Sequence, residues 1–303
     1  MNRLVLIDGN AMIHRAYHAL PPMRTADGQP GHVVYGFISM ILRLYQDLKP
    51  THMAVAFDRP GPTFRNKLYK EYQSQRPQME DDFISQISLV HDTVAAFGIP
   101  IYEADGFEAD DVIGTICKQV HSSQFTVHGK KIDQVVIVTG DRDILQLVVD
   151  EKVLCYMPTK GLSEGKVYAE KDVVERMGVK PKLIPDLKAL MGDASDNYQG
   201  VPGIGPKTAI KLLSKYKTLQ GVLQTTEFTP EQQQSARLSH ELATIRTDAP
   251  ITFDAKKALI TTLDTAGARA ALETLRFPSL LKRLHHEDAM KKEEKMTTQQ
   301  ELF

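Results

Sequence analysis

The chain has 303 residues, 42% of them hydrophobic, and sets 37 lysines and arginines against 38 aspartates and glutamates. It can bury a sizeable core in one large domain or two unequal ones, and its balanced charge means that any attraction for a polyanion must come from local patches. Cys117 and Cys155 have neither disulfide nor zinc spacing, the N-terminus is too short for a signal peptide, and no apolar run approaches a membrane span; a reducing, cytoplasmic setting away from membranes is expected.

Leu4-Val5-Leu6-Ile7 is a continuous apolar run, as a buried parallel strand requires, and it ends in Asp8. Helices are expected through Ile13, Arg15 and Tyr17 and from about Tyr35 to Leu48. Met53 to Phe57 is a second such run and ends in Asp58; Val135 to Val138 is a third, followed by Asp141 and Asp143. One aspartate at a strand end is commonly a helix cap. Three, separated by helical patterns, predict an open parallel α/β sheet with a shared site beyond the carboxyl ends of its strands.

Between the second and third runs lie two stretches of another character. Phe64 to Arg76 interleaves basic and aromatic residues between flanking prolines. It reads either as an amphipathic helix with inward tyrosines or as a mobile element whose cations meet phosphates while aromatics stack on bases. Glu108, Asp110 and Asp111 crowd one first turn ahead of the apolar Val112, Ile116 and Val120. Acids there can complement the helix dipole. Joined to the strand-end aspartates, they call instead for a counter-ion, and acids with water are the ligand set magnesium prefers.

Beyond about Lys160 the composition changes. Asp172 to Met177 and Lys182 to Met191 are expected helices that lead into Gly192-Asp193-Ala194-Ser195-Asp196. Gly203-Ile204-Gly205-Pro206 then predicts a turn with bare amides at a helix start, followed by Lys207, Lys211 and Lys215 on one outer face. That combination suits non-sequence-specific grip on a nucleic-acid backbone, although a plain solvated hairpin has the same pattern. Residues 229–285 are expected to be helical and structural, and 287–303 to be disordered.

Taken in order, "LIDGN", "AFDRPGPTFR", "GFEADDVIG", "IVTGDRDILQLV", "ALMGDASDN" and "GVPGIGPKTA" resemble the 5′-nuclease (flap endonuclease/5′–3′ exonuclease) family, as in the N-terminal region of bacterial DNA polymerase I. The resemblance covers about Leu4 to Leu284 and implies a resolvase/PIN-like parallel-sheet core over 1–178 with a helical arch at about 64–90. It further implies an all-α DNA-binding region over 179–286 with a helix–two-turn–helix element at about 186–220. The metal carboxylates it implies are Asp8, Asp58, Glu108, Asp110, Asp111, Asp141, Asp143, Asp193 and Asp196, for two or more magnesium ions that manganese can replace. Arg15 and Arg76 fall on phosphate-contacting positions. Gly203, Ile204, Gly205, Lys207, Thr208, Lys211 and Lys215 fall on the duplex-gripping element, with potassium as an ion for its turn. The implied substrate is DNA with a 5′ flap, nick or 5′ end, bound by a monomer.

Two positions depart from the family pattern. Gln73 stands where an arch lysine is usual, and His14 where a tyrosine precedes Arg15. Lys70 is expected to substitute in part. These departures keep a branched-DNA binding protein with little catalysis as the alternative to a nuclease. The terminal Gln299-Gln300-Glu301-Leu302-Phe303 resembles the short peptide that docks into a bacterial sliding clamp, with Gln299, Leu302 and Phe303 as its contacts; an uninvolved tail is the other reading.

Overall fold

Three apolar runs form the centre of one sheet. In the computed structural model, which describes residues 1–285 apart from 78, 123–125, 128–129, 163 and 226–227, β1 (Arg3–Asp8) pairs in parallel with β2 (His52–Ala56) and with β6 (Gln134–Val138). With β3 (Ile101–Tyr102), β7 (Val153–Lys160) and β8 (Glu164–Tyr168) the sheet runs β3-β2-β1-β6-β7-β8, and β8 alone is antiparallel to its neighbour. A separate two-stranded ladder joins β4 (Thr126–Val127) to β5 (Lys130–Lys131). The period of two explains why the central runs are apolar throughout. Leu4, Leu6, Val135 and Ile137 face one core, Val5, Ile7, Val136 and Val138 the other, and both faces are covered.

On the second of these faces lie α1 (Gly9–Ala19), α2 (His32–Leu48), α4 (Asp81–Ala96) and α11 (Ala266–Thr274). On the first lie α5 (Ala109–Ser122), α7 (Ile184–Met191), α8 (Pro206–Tyr216) and α9 (Leu219–Leu223). The short α3 (Phe64–Leu68), α6 (Glu170–Met177) and α10 (Pro230–Ala243) complete the helices used below. No described helix is long and apolar enough to cross a membrane.

Two segments differ from their sequence expectations. Phe64 to Arg76 is not one amphipathic helix. After α3 the chain turns, Gln73 takes a positive φ of 57°, and Tyr72 buries itself against Tyr198, Leu242 and Ala243. Burying a tyrosine there outweighs continuing a short helix. Residues 244–265 contain no helix and form a strap along α5 and the sheet. The polar stripe Asp111, Thr115 and Gln119 at every fourth residue of α5 supplies its partners: Arg246 N donates to Asp111 Oδ1 (2.7 Å), Ala249 N to Thr115 Oγ1 (3.0 Å) and Phe253 N to Gln119 Oε1 (2.9 Å). The tail expectation at 287–303, with Gln299, Leu302 and Phe303, lies outside the described residues.

The connection from α7 to α8 is fixed by close backbone approach. A Cβ on Gly200 would lie 2.3 Å from both Gly192 N and Leu190 O. Gly200→Ala is therefore expected to destabilise the fold by about 1–3 kcal/mol, as overpacking does. Gly205→Ala, with nothing within 4 Å of its Cβ, should cost less, about 1 kcal/mol at most, from the preference of a helix N-cap for glycine over alanine. Urea midpoints of the two variants check this, and a Gly200→Ala midpoint equal to the parent's would refute it.

Candidate active site

The strand-end aspartates converge. Asp8 caps α1 by accepting from Ala11 N (3.0 Å) through one oxygen and from Thr139 Oγ1 (2.6 Å) through the other. Asp58 accepts from Ala109 N (2.6 Å) at the start of α5, and Asp141 accepts from Asp143 N (2.8 Å). Each carboxylate is held by a backbone amide of the following segment, so the caps also aim the acids. Together with Glu108, Asp110, Asp143 and Asp196 they line one cavity of about 500 Å³.

Electrostatically this cavity is under tension. Burial, reinforced by the charges of Asp58 and Asp141, pushes Asp8 up to about 7. Burial also lifts Glu108 to about 7 against the pull of Arg65, and lifts Asp143 to about 7 with Asp141 adding to it. Asp110 is raised well above its ordinary value by burial and by Asp141, Asp8, Glu108 and Asp143. Charge crowding of this kind is what a hard divalent cation relieves.

A second group lies beside it. Asp143, Asp193 and Asp196 each bring an oxygen within 4.8 Å of the others. Asp193 accepts from Ser195 N (2.9 Å) and from the Ser195 hydroxyl. Asp196 is gripped from the segment after α3: Arg76 Nη2 (2.8 Å) and Gln73 Nε2 (3.1 Å) donate to Oδ1, and the Tyr72 hydroxyl (3.4 Å) to Oδ2. Lys188 of α7, 7% exposed, places its ammonium between Asp143 and Asp193 as an ion pair with both. Burial opposes its charge, but the two carboxylates prevail and raise its pKa. Sequence reasoning missed Lys188. Its signal was a lysine inside an otherwise apolar turn, Leu187-Lys188-Ala189-Leu190, five residues ahead of Asp193.

Several expected residues take other places. Asp111 is fully buried and committed. Its oxygens accept from Arg65 Nη1 (2.7 Å) and Nη2 (3.0 Å), from Glu108 N (3.1 Å) and from Arg246 N (2.7 Å), so no edge is left for an ion. Arg65, also missed from the sequence, is the buried cation that fixes it. Arg15 does not reach the cavity, and its Nε donates to Gly161 O (2.7 Å). Helical geometry gives the reason: Asn10, Ala11 and His14 form the face of α1 that lines the cavity, and Arg15 is rotated a further 100° or so away. Lys70 is exposed on the turn after α3 and outside the cavity lining. No helix links it to Gln73, so it does not stand one turn from the site.

The hairpin after α7 matches its expected form. Gly203 takes φ +84°, which a side chain would disfavour. Gly205 precedes Pro206 at the start of α8, and Gly203, Gly205, Lys207, Thr208, Lys211 and Lys215 are exposed while Ile204 is half-buried. Ala209 and Leu213 pack inward. A groove of about 430 Å³, walled by Gln75, Asp193, Tyr198, Gly203 and Ile204, leads from this turn to the second acid group.

The donor set fits divalent ions. All the convergent ligands are carboxylate oxygens, and the buried Tyr198 hydroxyl has no hydrogen-bond partner among the described residues, as an atom facing ion-bound water would not. Fold and site define a resolvase-like α/β core with an acid-lined mouth, joined to a helical hairpin region. A model of the 5′–3′ exonuclease N-terminal resolvase-like domain matches residues 3–178, and one of its C-terminal SAM fold matches 179–266. The chain belongs to the 5′–3′ exonuclease family. It is 34% identical to a 5′-3′ exonuclease of Aquifex aeolicus over 93% of this chain and 95% of that one. Over 95% of its own length it is 36% identical to DNA polymerase I of Bacillus subtilis, spanning only 33% of that enzyme. The bacteriophage T5 D15 flap endonuclease, solved with DNA and metal ions, shares the fold at a TM-score of 0.63 and 20% identity, covering 96% of this chain and 100% of that one.

Burial pushes Asp8, Glu108 and Asp143 up from the ordinary carboxylate range to about 7, so between these values the folded chain holds more protons. They remove stability as pH rises through that window, and the removal is complete above it. Ion binding needs them ionised. A divalent ion is therefore expected to raise the melting temperature more at pH 8 than at pH 5.5, starting from a lower metal-free value at pH 8. Equal gains at both pH values, read by thermal unfolding, would mean that these acids do not hold the ion.

Proposed function

We propose that the chain is a magnesium-dependent, structure-specific 5′–3′ exonuclease and flap endonuclease, cutting phosphodiesters at 5′ ends or flaps of branched DNA in repair or primer processing. The observation that carries this is the convergence of acids from three strand ends, the start of α5 and the 192–197 loop on one cavity, with a groove leading from it to the lysine-bearing hairpin. Asp8, Asp110 and Asp141 would hold one ion, and Asp143, Asp193 and Asp196 a second. Bound there, divalent ions lower the pKa of an attacking water and stabilise charge on the departing oxygen.

The chain's own groups supply the rest. Arg76, its side chain 56% exposed beside Asp196, is placed to exchange that carboxylate for a phosphate oxygen. Tyr72 and Gln73 orient Asp196, while His14 stands on the cavity wall against Phe83 (4.7 Å between ring centroids). The amides of the Gly203 turn and the start of α8 suit backbone phosphates, and Lys207, Lys211 and Lys215 extend that contact without reading sequence. The same proposal takes in a potassium ion at the turn and a sliding-clamp contact through Gln299, Leu302 and Phe303, both on sequence resemblance. A branched-DNA binder is the second reading, favoured by the neutral Gln73 at the family's lysine position.

Single-turnover cleavage of a 5′-flapped nicked duplex separates the two. A 5′ fragment is expected with magnesium but not with calcium, released faster by Gln73→Lys and slower by roughly 10²-fold or more by Asp110→Asn. Tight binding in calcium with no cleavage in magnesium would select the binder.

For the hairpin, replacing Lys207, Lys211 and Lys215 with alanine should weaken duplex binding and flatten the slope of log affinity against log salt by about 0.9 per lysine. A variant with the parent's slope would remove the hairpin from the DNA path.

A further inference from the structure

The two acid groups of the cavity are balanced in opposite ways. Asp8, Asp110 and Asp141 line the cavity with no lysine or arginine paired to them among the described residues. Around the second group the protein has brought its own cations. Lys188 pairs with both Asp143 and Asp193, and Arg76 pairs with Asp196. Arg76 is half exposed to solvent. Lys188 is not: seven consecutive residues of α7, Ile184 to Leu190, are buried, and the Lys188 side chain keeps only 9% of its exposure. Burial of the charge is opposed by desolvation and overcome only by the two carboxylates. Burial also works against Asp193, yet Lys188 and Ser195 still hold its pKa below the ordinary value. Close by lies the Tyr198 hydroxyl, 4% exposed as a residue, within the field of Asp143, Asp193 and Asp196 and without a hydrogen-bond partner among the described residues.

Resting on the two-ion site of the preceding section, we propose that Lys188 is an internal counter-ion that competes with the divalent ion for the Asp143–Asp193 edge. One ammonium there satisfies the charge that would otherwise draw in the ion. It also occupies oxygens that the ion would need. The group around Asp8, Asp110 and Asp141, which has no such occupant among the described residues, therefore fills first. The second ion must displace Lys188, and its affinity is set by that exchange. The Tyr198 hydroxyl is the atom left to bond a water of the ion once it enters. Lys188 is thus a positioning residue for the second ion, and the chain needs a higher ion concentration to complete its site than to begin it.

The test is a manganese titration of the full chain, stripped of metal, followed by electron paramagnetic resonance of free ion, for wild type, Lys188→Met and Lys188→Gln. Two classes of site are expected in the wild type. The weaker class should tighten at least about tenfold in both variants, equivalent to about 1.4 kcal/mol, with the tighter class within twofold. A variant that folds only when manganese is present supports the same exchange, because Asp143 and Asp193 are then left without their cation. Unchanged weak-site affinity in folded variants overturns the inference, as do variants unfolded with and without manganese, which would make Lys188 purely structural. Absence of bound manganese in all three proteins would instead overturn the two-ion site itself.

Discussion

The ion pair between Arg65 and Asp111 is the constraint on which the mouth of the sheet depends. Both are buried, and each would be costly alone; removing one partner of such a pair typically costs about 3–5 kcal/mol. The structure avoids that cost by complete hydrogen bonding. Beyond its two bonds to Asp111, Arg65 donates to Leu242 O (2.8 Å) and Thr244 O (3.0 Å) and approaches Glu108 Oε2 at 3.3 Å. The segment after β2, the start of α5 and the strap after α10 therefore meet at one pair of side chains. Glu108 is positioned by the same cluster, since its amide bonds Asp111 while its carboxylate faces Arg65.

Held this way, Asp8 and Asp110 are presented rather than neutralised. Asp111 has absorbed most of a buried cation, and of the cavity carboxylates Glu108 shares Arg65 with it. Asp8 and Asp110 remain raised by burial and by like charge. Local stability is lower for it, as is common where a site must bind a charge the protein does not carry. Gln73 fits the same logic. It bonds Asp196 without adding a charge, and the cationic partner of that carboxylate is Arg76, three residues on.

Much of this was legible because buried parallel strands leave a simple signature. Three apolar runs ending in aspartate gave the sheet's centre and the direction of its site, and glycines before a proline gave the hairpin. What stayed hidden depends on distance relations that sequence does not carry. Asp111 sits among acids in the chain, yet its partner Arg65 comes from 46 positions earlier and its amide donor from Arg246. Arg15 and His14 are neighbours in sequence but point to different sides of α1. Lys188 looks like one polar residue on a helix until folding encloses that helix on all sides. The strap at 244–265, expected as helix, is shaped by a stripe of partners on α5 that no local pattern in its own sequence announces.

That strap bears on how the molecule could be divided. Family models meet at residues 178 and 179, and the loop there looks like a natural joint. Yet the carbonyls that complete Arg65 and the amides that complete Asp111, Thr115 and Gln119 all come from 242–253. The boundary in sequence is no boundary in energy. A chain ending at the joint would lack the strap that supplies those partners to Arg65, Asp111, Thr115 and Gln119, so the two regions are coupled through it.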